Sequence, residues 1–293
     1  MPYYLIHGLV VSLPFTSQGV DGAQAGAKVD VIAVETDVPR HLPAPKVTEQ
    51  SFDVDHGAFL LRGGMQSARF LVENGNSIKF QKNKDCKEDL FLHNLFYQVM
   101  AAVLRQRKML AFHASSASTN DQAVIVTGDS GAGKSTTISH LVTKGWHLQA
   151  DDLCAVRLGE NGKLEVLPGT KEVCLCEDAL EYLPYSTVHL PRRDWHRNKV
   201  AISHNAQQQS KPVSRIIYLK RTENTSKVKV ERISGQKKLE LLLSCLYGPL
   251  LPKDIMSVQT SFLYTLSSID LLLVSRPENR WSMDDVLGAI IGE

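Results

Sequence analysis

A glycine-rich segment between an apolar run and a helix-like run constrains this chain more than any other part of its sequence. Residues 124–137 read VIVTGDSGAGKSTT, and within them Gly128, Gly133, Lys134 and Ser135 satisfy the pattern GxxxxGK[ST]. Glycines allow the backbone to coil so that successive N–H groups point inward and form an anion-binding nest. A following helix would direct its positive N-terminal end at the same anion. The pattern therefore predicts a phosphate-binding loop between a strand and a helix.

The residues of this loop have distinct predicted roles. Lys134 supplies a cation for the β- and γ-phosphates of a nucleotide, and the Ser135 hydroxyl is a ligand for Mg²⁺. The residues predicted to contact the nucleotide are Gly128, Asp129, Ser130, Gly131, Ala132, Gly133, Lys134, Ser135 and Thr136.

Two adjacent carboxylates, Asp151 and Asp152, stand at the carboxyl end of the next apolar run, WHLQADD. Ligands of open α/β sheets bind outside the carboxyl ends of the strands, so this pair is expected to face the loop. One carboxylate can help to hold Mg²⁺ through water, and the other can accept a proton from an attacking hydroxyl. His113, on the strand before the loop, either contacts the terminal phosphate or has a structural role.

A basic run, LPRRDWHRNKVAI, supplies four further cations: Arg192, Arg193, Arg197 and Lys199. Runs of this kind are usually solvated loops. The alternative is a mobile loop that closes over the nucleotide or grips an acidic substrate.

Charge and cysteine content restrict the class of protein. The 293 residues include 33 basic and 31 acidic side chains, a balance that gives no strong field for nucleic acid or an anionic membrane. No apolar run is long enough to span a bilayer, and the N-terminal MPYYLIHGLVVSLPF is expected to be a first strand, not a signal peptide. Five scattered cysteines indicate a reducing cytoplasm. Cys174 and Cys176 are expected on one face of a strand.

The hydrophobic pattern divides the chain into two regions. Residues 1–85 contain short β-type runs separated by glycine, proline and polar turns. Residues 85–107 have apolar side chains at helical spacing, which predicts an amphipathic helix that bridges to the rest of the chain. Residues 124–152 form one strand–helix–strand unit. The predicted fold class is α/β, with a strand-rich region at 1–85 and the loop-containing domain at 86–293.

Further elements are predicted in the C-terminal half. A short helix is expected at EDALEYL, and strands are expected within residues 164–176, 214–221 and 226–233. Ser234 is a candidate N-cap for the helix that follows it. Ser282 and Asp285 stand at the spacing of a capping box, which predicts the start of the last helix.

The segments FHASS and GDSGAGKSTTISHLVTKGWHLQADD resemble the catalytic domain of HPr kinase/phosphorylase. They resemble still more closely the HPr kinase-like serine kinases that tailor peptides, including lasso peptide kinases. Members of this family carry a histidine before the loop strand, GDSGxGKS in the loop and DD after the helix. These features match His113, residues 128–135 and Asp151–Asp152. The resemblance covers residues 108–155 and implies a P-loop domain related to phosphoenolpyruvate carboxykinase, with a mixed sheet.

The resemblance also implies an activity. The chain would be an ATP-dependent serine kinase that transfers the γ-phosphoryl group to a serine of a ribosomally made peptide, with ATP and Mg²⁺ as cofactors. Asp151 would be the catalytic base, Asp152 would lie on the metal side with Ser135, and these two roles could be exchanged. His113 and Lys134 complete the implied catalytic set. The implied partner is a peptide with an acceptor serine, without nucleic acid or membrane, and a homo-oligomer is left open because related enzymes assemble.

One departure from the family pattern limits the choice of substrate. True HPr kinase/phosphorylases carry a second, glycine-rich signature after the DD segment, and this chain lacks it, which disfavours phosphorylase activity and HPr as the substrate. Residues 1–85 also resemble no HPr kinase N-terminal domain. The alternatives are an HPr-type protein kinase, a small-molecule kinase, and a nucleotide-dependent ATPase or switch without a phosphoryl acceptor.

Overall fold

A computed structural model describes residues 1–159, 162–185, 192–194, 199–204, 206–223, 225–248, 265–266 and 268–291, with only the backbone path given for 192–194. In these residues the protein is mixed α/β, with three sheets and few helices. None of the helices described is both long and apolar enough to cross a membrane.

The N-terminal region forms a nine-stranded sheet. Its strands are β1 (Tyr3–Ile6), β2 (Leu9–Ser12), β3 (Asp21–Gly22), β4 (Val31–Glu35), β5 (Val47–Thr48), β6 (Phe52–Val54), β7 (Ala58–Leu61), β8 (Ala68–Glu73) and β9 (Ser77–Lys82), in the order β3-β1-β2-β4-β9-β8-β7-β6-β5. The single first strand expected at the N-terminus is wrong, because β1 and β2 form an antiparallel hairpin. His7 and Gly8 have φ values of 49° and 75°, which a two-residue hairpin turn requires.

One long helical segment joins this sheet to the rest of the chain. It comprises α1 (Glu88–His93), a π-helical turn (Asn94–Val99) and α2 (Met100–Gln106), so the predicted bridging helix is confirmed. The π-helical turn was not predicted. Phe91 stacks on Phe70 of β8, with ring centroids 5.4 Å apart, and Leu153 belongs to the same apolar cluster. The N-terminal sheet and the segments beyond it therefore share a core.

A mixed central sheet carries the glycine-rich loop. Its strands are β10 (Leu110–Ser118), β11 (Ala123–Gly128), β12 (His147–Ala150), β13 (Leu153–Leu158), β14 (Leu164–Val166), β18 (Lys211–Thr222), β19 (Lys229–Ile233) and β20 (Asp270–Pro277). β11 pairs in parallel with β18, and β18 pairs in parallel with β20, whereas β10 runs antiparallel to β11, β12 and β13. The expectation of a mixed sheet is thus confirmed. The strands of the predicted strand–helix–strand unit are not neighbours, because β10 lies between β11 and β12.

A third sheet and two helices pack beside the loop. The sheet has the order β15-β17-β16, with β15 at Glu172–Cys176, β16 at Arg192–Asp194 and β17 at Lys199–Ser203. The helix α3 (Lys134–Thr143) follows the loop, and α6 (Met283–Ile291) packs against it. Apolar side chains of α3, α6, β15 and β17 share one cluster with those of β11. This packing fixes the loop relative to the third sheet.

The remaining helices lie where the sequence predicts them, but their predicted capping hydrogen bonds are not formed. They are α4 (Glu177–Leu180) and α5 (Gly235–Ser244). Ser234 occupies the N-cap position of α5 but makes no capping hydrogen bond with its side chain. The capping box at the last helix is wrong, because the Ser282 hydroxyl has no hydrogen-bond partner and Asp285 pairs with Arg280 at 2.8 Å.

Candidate functional site

The glycine-rich loop, residues 128–136, connects β11 to α3 in a conformation that needs its glycines. Gly128, Gly131 and Gly133 have φ values of 137°, 80° and 103°, which side chains disfavour. A Cβ atom at Gly128 would lie 2.1 Å from the backbone oxygen of Leu219 on β18. A Cβ atom at Gly133 would lie 3.0 Å from Cε of Met283. The loop is therefore a cradle of backbone that larger residues would distort.

Lys134 holds the cradle together at the start of α3. Its ammonium nitrogen donates hydrogen bonds to the backbone oxygens of Gly128 at 3.0 Å and Asp129 at 3.2 Å. Burial lowers the pKa of Lys134, and the charges of Asp152 and Asp151 counteract that effect. A cation, the start of a helix and a backbone nest thus face one place, and this donor set fits a polyphosphate.

Asp151 lies behind the loop and is 1% exposed. Its Oδ1 accepts hydrogen bonds from the hydroxyls of Ser135, at 2.8 Å, and Ser115. Its Oδ2 accepts the backbone N–H of Cys174 at 3.0 Å. Burial raises the pKa of Asp151, and the hydrogen bonds from Ser115, Cys174 and Ser135 oppose the rise. The side chain is therefore tied to the loop serine.

Asp152 is oriented differently from its neighbour. Its φ of 66° lies in the left-handed region, and its side chain lines the cleft in front of the loop. Oδ1 of Asp152 lies 3.1 Å from Nδ1 of His113, with 30% and 40% of the two side chains exposed. Burial raises the pKa of Asp152, but the hydrogen bond and charge of His113, together with the charges of His93 and Lys199, lower that pKa overall. Asp152 is thus an ionised carboxylate that solvent reaches.

The cleft has a volume of about 780 Å³ and unites residues from distant parts of the sequence. The loop and the start of α3 form its floor, and His113 and Asp152 are among its lining residues. Its other lining residues include Cys174, Cys176, Tyr182, Lys199, Arg221, Arg276 and Trp281. Four of the predicted site residues do not line the cleft: Gly128, Asp129, Ala132 and Asp151. Asp151 contacts the cleft through Ser135.

The third sheet contributes part of the cleft wall. Cys174 and Cys176 of β15 both line the cleft, while Val173 and Leu175, which alternate with them, are buried, so the expected single face is confirmed. Lys199 of β17 also lines the cleft. It is the one member of the basic run whose side chain is described; the side chains of Arg192 and Arg193, and the whole of Arg197, lie outside the described residues.

Sequence reasoning missed residues that fix the loop from a distance. Arg276, on β20, donates from Nε to the backbone oxygen of Ala132 at 2.8 Å. The Tyr218 hydroxyl donates to Oδ1 of Asp129 at 3.0 Å. Both residues belong to strands far along the chain, and no local pattern marks them. The parallel pairing of β11, β18 and β20 brings both residues to the loop.

Ser135 and Asp151 are the residues that could hold a magnesium ion. They place two oxygen atoms 2.8 Å apart at the start of α3. Mg²⁺ is commonly held by one or two protein oxygens, with phosphates and water completing its shell. The donor set therefore fits the cation that the loop sequence predicts.

Comparison with protein-family models and with curated proteins finds no match for this chain.

Proposed function

We propose that this chain is an ATP-dependent serine kinase with an HPr kinase-like P-loop fold. One observation carries the proposal. The carboxylate of Asp152, paired with His113 at 3.1 Å, lines the same cleft as the loop residues Lys134 and Ser135. A phosphate cradle and an ionised base that share one cleft are what phosphoryl transfer to an alcohol needs.

The loop side of the cleft would bind the triphosphate. Backbone N–H groups and the Lys134 ammonium would hold the β- and γ-phosphates, and Ser135 with Asp151 would hold Mg²⁺. When bound, Mg²⁺ neutralises negative charge on these phosphates. Lys134 would exchange its bonds with the Gly128 and Asp129 oxygens for bonds with phosphate oxygens. Positioning and charge stabilisation account for most of the rate in such reactions.

The opposite wall would bind the acceptor. Asp152 would accept the proton of the serine hydroxyl as its oxygen forms a bond to the γ-phosphorus. The bond from that phosphorus to the bridging β–γ oxygen breaks, and ADP leaves with the electron pair. His113 would orient Asp152 and keep it ionised, because its hydrogen bond and charge lower the pKa of that carboxyl.

This assignment exchanges the two roles that the sequence suggested. The sequence resemblance implies that Asp151 is the base and Asp152 the metal-side acid, and it allows the two roles to be exchanged. Asp151 is buried and bonded to Ser135, which suits the metal side, whereas Asp152 is exposed to the cleft. A base must reach the hydroxyl that it deprotonates, so geometry favours Asp152.

A ribosomally made peptide of the lasso type is the acceptor that the sequence resemblance favours. An HPr-type protein kinase is the second choice, because the glycine-rich signature of that group is missing. A nucleotide-dependent ATPase or switch would use the same loop and needs no acceptor. Whether ADP formation depends on an acceptor therefore distinguishes a kinase from an ATPase or switch.

The experiment is incubation of the protein with MgATP and candidate serine peptides, followed by mass spectrometry of the peptide and measurement of ADP. We expect one serine peptide to gain phosphate and ADP to form in step with it. The matched controls are the same peptide with its serine replaced by alanine, and the Lys134→Ala variant, both of which should give neither product. Equal ADP formation with the serine-free peptide would assign the chain to the ATPase class instead.

A further inference from the structure

Two stacked aromatic rings line the cleft besides the loop and the carboxylates. The rings of Tyr182, just after α4, and Trp281, just before α6, lie 4.2 Å apart between centroids with an angle of 10° between their planes. Both residues line the cleft, and Tyr182 is 52% exposed. An aromatic residue this exposed in a polar cleft leaves a flat apolar surface in contact with water. We call Tyr182 and Trp281 the aromatic pair.

The aromatic pair is fixed relative to the glycine-rich loop. The Trp281 ring meets the ring of His140 on α3 edge-on, with centroids 6.3 Å apart. The segment that carries Trp281 is anchored at both ends: Arg276 binds the oxygen of Ala132, and Met283 accepts a hydrogen bond from Thr137 of α3. The pair is thus held against the same helix that begins at the phosphate cradle.

The spacing along α3 suits a nucleoside. His140 follows Ser135 by five residues, which is about 7.5 Å along a helix axis. A triphosphate held at the start of α3 leaves that distance for its sugar before the base reaches the aromatic pair. His113 and Asp152, which line the cleft elsewhere, remain available for the acceptor.

We propose that the aromatic pair is the binding platform for the base of the nucleoside triphosphate, which stacks on the exposed ring of Tyr182. This inference rests on the proposed nucleotide site. It assigns a binding surface to the base, which the glycine-rich loop does not contact. Stacking of a base on an aromatic side chain is a strong contact that needs no particular hydrogen-bond pattern. Trp281 supports Tyr182 from behind and holds its ring parallel to the incoming base.

The test compares two ligands that share the phosphates and differ in the base. Dissociation constants of MgATP and of magnesium tripolyphosphate are measured by calorimetry for the native protein, Tyr182→Ala and Tyr182→Phe. We expect Tyr182→Ala to bind MgATP about 10-fold to 100-fold more weakly and to bind tripolyphosphate as the native protein does. Tyr182→Phe should bind both ligands within about 2-fold of the native protein, since it keeps the ring. Unchanged tripolyphosphate binding also shows that the variant is folded.

A second readout uses fluorescence. Trp281 is one of three tryptophans, and a base stacked on its partner ring should change its emission. We expect the change on adding MgATP to persist in Trp146→Phe, whose residue packs against the apolar cluster behind the loop, and to vanish in Trp281→Phe. Tripolyphosphate should give little change.

Equal MgATP affinity of Tyr182→Ala and the native protein would overturn the platform, and so would an equal loss of affinity for both ligands. Native protein that binds neither ligand would overturn it together with the nucleotide site. The kinase proposal can fail without the platform. If ATP binding depends on the base but no serine peptide gains phosphate, the platform stands and the kinase proposal falls. If a serine peptide gains phosphate but Tyr182→Ala binds MgATP as the native protein does, the kinase proposal stands and the platform falls.

Discussion

At the scale of single residues, two neighbours of identical chemistry have opposite environments. Asp151 is buried against the hydroxyls of Ser115 and Ser135, and burial raises its pKa. Asp152 has left-handed backbone, lines the cleft and meets His113, which lowers its pKa against the effect of burial. Perturbation of adjacent carboxyl groups in opposite directions is a common way to divide two roles between them.

The first prediction concerns His113 and the pH dependence of transfer. A base whose pKa is lowered stays ionised as the pH falls, and its activity is lost only as the pH passes down through that lowered pKa. Because His113 lowers the pKa of Asp152, His113→Ala should shift the acid limb of the kcat profile to higher pH. His147→Ala is the control, since His147 is exposed at the start of β12 and does not line the cleft. An acid limb that His113→Ala leaves in place would contradict the pairing.

The second prediction concerns the metal side. Asp151→Asn removes a carboxylate oxygen that lies 2.8 Å from the Ser135 hydroxyl, so the Mg²⁺ concentration for half-maximal activity should rise about 10-fold or more. Activity should largely recover at saturating Mg²⁺. The control is Ser116→Ala on β10, whose hydroxyl contacts Cys154 and not Asp151. A normal metal requirement in Asp151→Asn would remove Asp151 from the metal side.

At the scale of elements, the strand-to-helix connection depends on close approach of β11 and β18. The third prediction is that Gly128→Ala destabilises the protein by about 3 kcal/mol, because its Cβ would meet the Leu219 oxygen at 2.1 Å. Gly131→Ala should cost only about 1 kcal/mol, because that position is open and only its φ of 80° opposes a side chain. Urea unfolding measures both. Equal losses of stability in Gly128→Ala and Gly131→Ala would mean that the close contact with β18 does not exclude a side chain at residue 128.

The β1–β2 hairpin supplies the fourth prediction, through its turn residue His7. This imidazole is fully buried, which lowers its pKa to about 4, and its Nε2 lies 2.9 Å from the Phe96 oxygen. Between about pH 6.5 and pH 4, His7 is therefore protonated in the unfolded chain and neutral in the folded chain. The free energy of unfolding consequently falls as the pH drops through this window. The full loss from this group is about 3 kcal/mol.

His7→Asn removes this titration and suits the left-handed turn, since asparagine tolerates positive φ. Its free energy of unfolding should fall less between pH 7 and pH 4 than that of the native protein, as measured by urea unfolding across the range. Parallel pH curves for the two proteins would show that His7 is not neutral when buried.

At the scale of the whole molecule, the sequence predicts what local patterns determine. The loop follows from its own glycines and lysine, and the helix from Glu88 to Gln106 follows from its apolar spacing. The placement of β10 between β11 and β12 depends on the pairing of β10 with β12 across about 30 residues, which no short window of sequence contains. The hydrogen bond from Arg276 to Ala132 and the stacking of Tyr182 on Trp281 also cannot be read from a short window, because their partners are about 100 residues apart or more.

The different environments of Asp151 and Asp152 cannot be predicted from the sequence for another reason. Adjacent residues of a regular strand point to opposite sides, but which side faces a ligand depends on the sheet around them. Here β12 ends at Ala150, and the left-handed backbone at Asp152 interrupts the strand before β13 continues in the same direction along β10. One φ angle therefore separates the two environments, and a pattern such as DD contains no information on that angle.

In the proposed reaction, Asp152 takes the serine proton while Ser135 and Asp151 hold the metal. The most direct measurement is the single-turnover rate of phosphoryl transfer to the acceptor peptide at saturating MgATP, for the native protein and Asp152→Asn, together with MgATP affinity. We expect a rate about 100-fold or more lower in Asp152→Asn, with MgATP affinity within about 2-fold of native. Transfer by Asp152→Asn at the native rate would contradict this assignment.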